Sequence, residues 1–426
     1  MQNYGTSGKF ELQITGYHDL TTVTVHIPCD MCQLPQKFLK KIIVNKGQMM
    51  QVALPSYVEI VGSKLFSDVI KITADKEISV VSMNSKSYST EIALLYPVNS
   101  LGREYYVVTP STGPRGSFPQ FSVFTHQGPN VVDIYPKAQV SFNGKTYSAG
   151  SKLTVTLKAF QGIQLQAASD LSGTKIISQG LVTVLSGHVC SWKNTKCNHV
   201  FEQLQPVSSW GKIFMVPPLP WQNKNDILYV SASQTTALTY QIGANKQTAK
   251  LEGGQVLQIL ILPRSPVYLS ASAPIQVYFY STGASYQTIT YDTLLMEIPD
   301  SDKYSREYTM NGQVGFQNFA FLVAKTAEVN GFMVDGKPLI NVQWNTIPGT
   351  EYSWGNFELP SMILTYRVVH PESPFGLLSV GIANLNSYGT PGAALEREYI
   401  LFTWLIPYMC NNDGGSRKKL RRIMVS

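Results

Sequence analysis

The chain has 426 residues, 44% of them hydrophobic and only 14% charged, with a net charge of +7. That apolar fraction supplies sizeable cores and excludes wholesale disorder, and the length corresponds to roughly two to four domains. The basic residues are scattered except for Arg417-Lys418-Lys419-Leu420-Arg421-Arg422, so the body of the chain lacks the clustered footprint of a nucleic-acid reader.

The first residues, Met1-Gln2-Asn3-Tyr4-Gly5, carry no basic or apolar leader, so either a secretory leader is absent from this chain or the protein stays inside the cell. From there the sequence reads as short apolar or alternating runs: residues 22–27, 51–54, 78–81, 105–108, 153–157 and 256–262. They are rich in β-branched and aromatic residues and punctuated by Gly, Pro, Asn and Ser. This rhythm predicts an all-β fold of sandwich-like domains. Asn143-Gly144 and Asp335-Gly336, each flanked by apolar runs, are hairpin signals.

A repeat of about one hundred residues, the length of one sandwich domain, underlies the pattern. Its anchor runs are 78–82, 181–186, 274–278 and 375–381. Pro97-Val98-Asn99-Ser100-Leu101-Gly102 matches Pro206-Val207-Ser208-Ser209-Trp210-Gly211 in type and order. The expected division is 1–102, 103–211, 212–305 and 306–395, followed by an atypical C-terminal end, 396–426. Within that end, residues 399–409 are apolar but too short for a spanning helix, which needs roughly 20 residues. They read instead as a core strand or an atypical terminus.

Candidate chemistry is sparse. Cys29 and Cys32 form a CxxC after a strand, with no βαβ pattern around it; the favoured reading is a turn-spanning disulfide, with redox, metal and free-thiol alternatives open. His188, Cys190, Cys197 and His199 flank the loop 191–196. On a hairpin they could converge as a Cys2His2 zinc site, but the inner spacing and the cations Lys193 and Lys196 favour a Cys190–Cys197 disulfide with two half-exposed histidines. Cys410 is left over, either buried or a cross-linking thiol. Asp300 and Asp302 fall short of the 6–8 oxygens that calcium wants and read as a solvated loop. No Ser-elbow, HExxH or phosphate-cradling Gly motif is present, so the expectation is no enzyme, no cofactor and no metal. No Asn-x-Ser/Thr sequon occurs either.

The run Ser186-Gly187-His188-Val189-Cys190, with Cys197-Asn198-His199, Glu202-Gln203-Leu204-Gln205-Pro206-Val207 and Trp210-Gly211, resembles the N-terminal domain of the IgG Fc-binding protein family of mucus. Residues 93–98, 105–108, 373–376 and 386–392 resemble it too. The likeness runs from about 10 to about 395 and departs from the family pattern after about 396. It implies a secreted, mucosal, non-enzymatic binding or adhesion protein whose partners are immunoglobulin Fc or mucin-type glycoproteins. The residues themselves leave two alternatives: a carbohydrate-active enzyme on a β-sandwich, or an intracellular zinc-stabilised scaffold.

Overall fold

The computed structural model describes residues 1–5, 8–28, 38–67, 69–87, 89–110, 113–360, 365–395 and 402–407. Among these it contains strands and short 3-10 turns, with no α-helix. No helix in it is long and apolar enough to cross a membrane. Strand alternation is direct: Thr21–His26 buries Thr21, Val23 and Val25 and turns the intervening residues outward, as a strand with one core face must.

The named strand ladders are antiparallel and repeat one plan. In the second unit a 17-residue strand, Lys175–Ser191, runs through two sheets. Its first half pairs with Asn130–Tyr135 and Gly102–Tyr106. Its second half pairs with Pro119–Phe124 and Asn198–Gln203. The third unit repeats this with Val267–Ser281, between Thr236–Ile242 and Gly211–Val216, then between Asp226–Ala232 and Leu294–Glu297. In the first and fourth units the same path is broken in two: Val69–Ala74 with Ile78–Lys86, and Thr365–Val369 with Gly376–Ala383. The four anchor runs therefore take one place in the plan.

In units two to four, the strand opening each unit follows a 3-10 turn of the unit before or at its own start: Val98–Ser100, Val207–Ser209 and Ser301–Lys303. Among the described residues the first unit shows no such strand at its own start. Phe402–Pro407 fills that place, pairing with Val69–Ala74 from Phe402 opposite Ala74 to Pro407 opposite Val69. The end set apart on sequence thus supplies a strand to the sheet of Thr21–His26, Leu39–Val44 and Val69–Ala74. Its Leu405 is buried in a cluster with Phe66, Val69, Leu185 and Phe201.

Towards the end of each unit runs an edge strand of its own sheet: Ser89–Leu94, Asn198–Gln203, Leu294–Glu297 and Asn386–Pro391. These four meet in cyclic order, the first against the second, the second against the third, the third against the fourth, and the fourth against the first. Apolar clusters seal each junction. Phe124 and Phe201 pack with Ala93 between units one and two; Tyr229, Tyr278 and Leu295 join the core of unit two. Trp221 packs on Phe319 and Phe321 of unit four, with ring centroids 4.3 and 5.8 Å away. Val81 and Ile92 meet Tyr388 across the closing junction.

Two glycines are dictated by this packing. A Cβ on Gly102 would lie 2.3 Å from Cβ of Pro206, and one on Gly211 would lie 1.5 Å from Oδ2 of Asp300. Both open a strand where it passes beneath the following 3-10 turn, and only a bare Cα fits.

Candidate functional site

Cys190 and Cys197 are joined by a disulfide, with Cα atoms 5.1 Å apart. Cys29, Cys32 and Cys410 lie outside the described residues. The two histidines flanking the bridge are not half-exposed as the sequence suggested: His188 is 1% and His199 0% exposed. Every residue of Asn198–Gln203 is buried because the strand sits between units rather than on a surface, which no local pattern reports. Nδ1 of His188 accepts from the backbone N–H of Cys190 at 3.1 Å, with Oγ of Ser117 at 3.2 Å. Nδ1–H of His199 donates to the carbonyl of His188 at 2.9 Å, and its ring stacks on Phe201. Burial pushes the two imidazoles down to about 4 and about 3, so both are neutral at physiological pH. Among the described residues no group of three or more His, Cys, Asp or Glu side chains is placed to hold a metal.

Between Cys197 and His199 stands Asn198, which ties the whole assembly together. Its Nδ2 lies 3.0 Å from the carbonyl of Thr90, 2.9 Å from that of Thr293 and 3.1 Å from that of Ser387. Those carbonyls belong to the other three units. Its Oδ1 accepts from Oγ of Ser89 at 3.1 Å. An amide has two N–H groups, so one hydrogen is shared between two carbonyls.

Around Asn198 the other central strands use side chains in the same way. The N–H of Thr90 donates to Oδ1 of Asn386 at 2.9 Å, and the N–H of Tyr96 to Oε1 of Gln203 at 3.1 Å. The N–H of Glu297 donates to Oε1 of Glu202 at 3.2 Å, and the hydroxyl of Ser387 to the carbonyl of Asp292 at 3.1 Å. Burial holds the carboxyls of Glu91 and Glu202 well above the ordinary range, and neighbouring carboxylates add to the effect at Glu202. Sequence reasoning assigned these residues no role. The available signal was polar residues on strands with no solvent face, in STEIAL and NHVFEQ.

Where the 3-10 turns gather at one end of this centre lies a cleft of about 870 Å³, lined in part by Tyr96, Glu297, Arg306, Glu307 and His370. Leu395 on its rim leads into residues outside the described set. The Tyr96 hydroxyl donates to Oε2 of Glu297 at 2.7 Å. Arg367 Nε donates to Oε1 of Glu307 at 2.6 Å. His370 is held at both nitrogens: Nε2–H donates to the carbonyl of Asn330 at 2.8 Å, and Nδ1 accepts from the N–H of Ser373 at 2.9 Å. A general base needs a free lone pair within reach of a substrate proton, and this imidazole has neither ring nitrogen free. Asp300, read from sequence as part of a solvated loop, is buried instead. It accepts from the N–H groups of Asp302 and Lys212 at 3.3 and 3.1 Å, which fixes the turn Ser301–Lys303.

These features define an all-β protein of tandem units closed around a buried polar centre, with one disulfide-pinched loop at its surface. Residues 91–381 match the family model described as IgGFc binding protein, and the chain belongs to that family. The human IgGFc-binding protein is 38% identical over 352 residues, which is 82% of this chain; the chain spans about 6% of that protein's length.

Proposed function

We propose that this chain is a non-catalytic binding protein of mucosal secretions, taking immunoglobulin Fc or mucin-type glycoproteins as partners and working outside the cell. The observation that carries this reading is the family match across 91–381, reinforced by a relative whose printed name is IgGFc-binding protein. The Cys190–Cys197 disulfide suits an oxidising compartment. The all-β scaffold of antiparallel sheets holds its loops on paired strands, as a recognition surface requires. The net charge of +7 favours acidic partners by long-range attraction.

The test is binding of the chain, made in a eukaryotic secretory host, to immobilised Fc fragment and to purified mucin at low and high salt. Saturable binding to one of them, weakening as salt rises, is expected. A folded, disulfide-intact sample that binds neither overturns the proposal.

A further inference from the structure

The Cys190–Cys197 bridge does more than close a turn. Past it, the loop is tied down on the third unit. Asn194 donates through its backbone N–H to the carbonyl of Thr282 at 3.2 Å and through Nδ2 to Oγ1 of the same residue at 2.8 Å. Oγ1 of Thr195 donates to the carbonyl of Tyr291 at 3.0 Å, and Oγ1 of Thr293 to that of Ser191 at 3.0 Å. What this frame leaves in solvent is Trp192, 48% exposed, with Lys193 and Lys196, both exposed. Trp210, Trp221 and Trp354 are all buried. Neither lysine forms an ion pair among the described residues.

We propose that this loop is a docking point for an acidic sugar, a carboxylate- or sulfate-bearing saccharide at the end of a glycan chain. The indole takes the apolar C–H face of the ring, and the two ammonium groups take its charge. The assignment rests on reading the chain as a binding protein. Three physical points support it. An indole and a pair of cations match a ligand with one apolar face and one anionic group. A loop fixed by a disulfide and four hydrogen bonds loses little conformational freedom on binding. The area on offer is also of saccharide size. A half-exposed indole presents roughly 100 Å², against about 800 Å² per partner in a standard protein interface.

The experiment titrates the intact, disulfide-bonded chain with sialyllactose, with a sulfated N-acetyllactosamine and with lactose, reading tryptophan fluorescence and saturation-transfer NMR. At least one acidic saccharide is expected to bind about tenfold more tightly than lactose, and the two acidic arms tell carboxylate from sulfate. Trp192→Ala should lower that affinity about tenfold, and Lys193→Gln with Lys196→Gln should remove most of its salt dependence. The melting temperature of Trp192→Ala should be unchanged, because the indole is half-exposed. Lys196→Gln removes the charge that favours the buried Asp292 carboxylate, so that variant is compared at pH 5, where Asp292 is protonated in the folded chain. Equal binding of lactose and both acidic saccharides, or unaltered binding by Trp192→Ala, overturns the proposal. If the wild-type chain binds Fc or mucin and Trp192→Ala binds equally, the loop assignment falls while the functional reading stands. Failure of the wild-type chain with Fc, mucin and saccharides alike removes both.

Discussion

Asp292 gives the clearest quantitative test of the packing. It lies just before Leu294–Glu297, is 0% exposed, and neither carboxylate oxygen has a hydrogen-bond partner among the described residues. Burial pushes its carboxyl from 3.8 up to about 7, with the positive charge of Lys196 opposing the shift. Below about pH 4 the group is protonated in folded and unfolded chains alike and carries no penalty. Between about 4 and 7 the folded chain holds a proton that the unfolded chain has released, so stability falls as pH rises. Above 7 both forms are ionised and the full penalty remains. Three pH units at about 1.36 kcal/mol each make this about 4 kcal/mol at pH 8, of which about 2 kcal/mol is already present at pH 5. Asp292→Asn keeps the shape and removes the charge. Its change in stability should therefore be more favourable at pH 8 than at pH 5 by about 2–3 kcal/mol, with an unpaired amide setting a common offset at both. Glu91, Glu202, Glu297 and Asp226 are shifted upward in the same sense, so the comparison must be variant against wild type at each pH. Urea unfolding of the disulfide-intact chain reads it directly. Equal shifts at the two pH values would refute the reasoning.

Asn198→Ala leaves carbonyls of three units without their shared donor and should cost about 3–5 kcal/mol by urea unfolding; a loss under 1 kcal/mol would mean that the amide is not the tie described above. Replacing Cys190 and Cys197 together by serine opens a loop of about eight residues, for which chain entropy alone gives about 2.5 kcal/mol, measurable as a lowered denaturation midpoint. Gly211→Ala drives a Cβ into the Oδ2, Cγ and Cβ of Asp300 and should cost about 2 kcal/mol or more, but much less in an Asp300→Gly background, which removes all three atoms, and a double-mutant cycle would register the coupling. Deleting residues 402–426 uncovers the edge of Val69–Ala74. It should lower the melting temperature and promote association, visible by light scattering.

The all-β class was legible because it is written locally. Period-two runs mark the strands, and Asn143-Gly144 and Asp335-Gly336 take the positive φ angles of tight hairpins, joining Val140–Phe142 to Lys145–Tyr147 and Met333–Val334 to Lys337–Pro338. The anchor runs were legible for the same reason. The centre was not, because its partners lie far apart in sequence: Asn198 and Ser387 are 189 residues apart. The closing strand was legible as an apolar run within 399–409, and a further local signal precedes it. Leu395-Glu396-Arg397-Glu398-Tyr399 repeats Leu101-Gly102-Arg103-Glu104-Tyr105 and Tyr304-Ser305-Arg306-Glu307-Tyr308. In both described copies the tyrosine hydroxyl accepts from the backbone N–H three residues earlier, in Gly102 or Ser305, and donates to a carbonyl of the anchor path, Val182 or Phe375. The third copy stands in sequence just before Phe402–Pro407.

The buried polar centre follows from the geometry of the edges. Each of the four central strands has one side paired within its own sheet, so the backbone groups of its free side must find partners. Those edges do not pair with one another as ladders, and side chains of Asn, Gln, Glu and Ser span the gap instead. Apolar residues there would leave the edge groups unsatisfied, each at about 1–3 kcal/mol. This accounts for the most specific motif in the sequence. Cys197 anchors the residue next to Asn198, so the disulfide fixes the start of the strand that touches all three other units. The Cys-Asn-His run is thereby committed to architecture, with both histidines buried and neutral. What the architecture holds outward at this motif is the loop 191–196, the part on which the proposed docking rests.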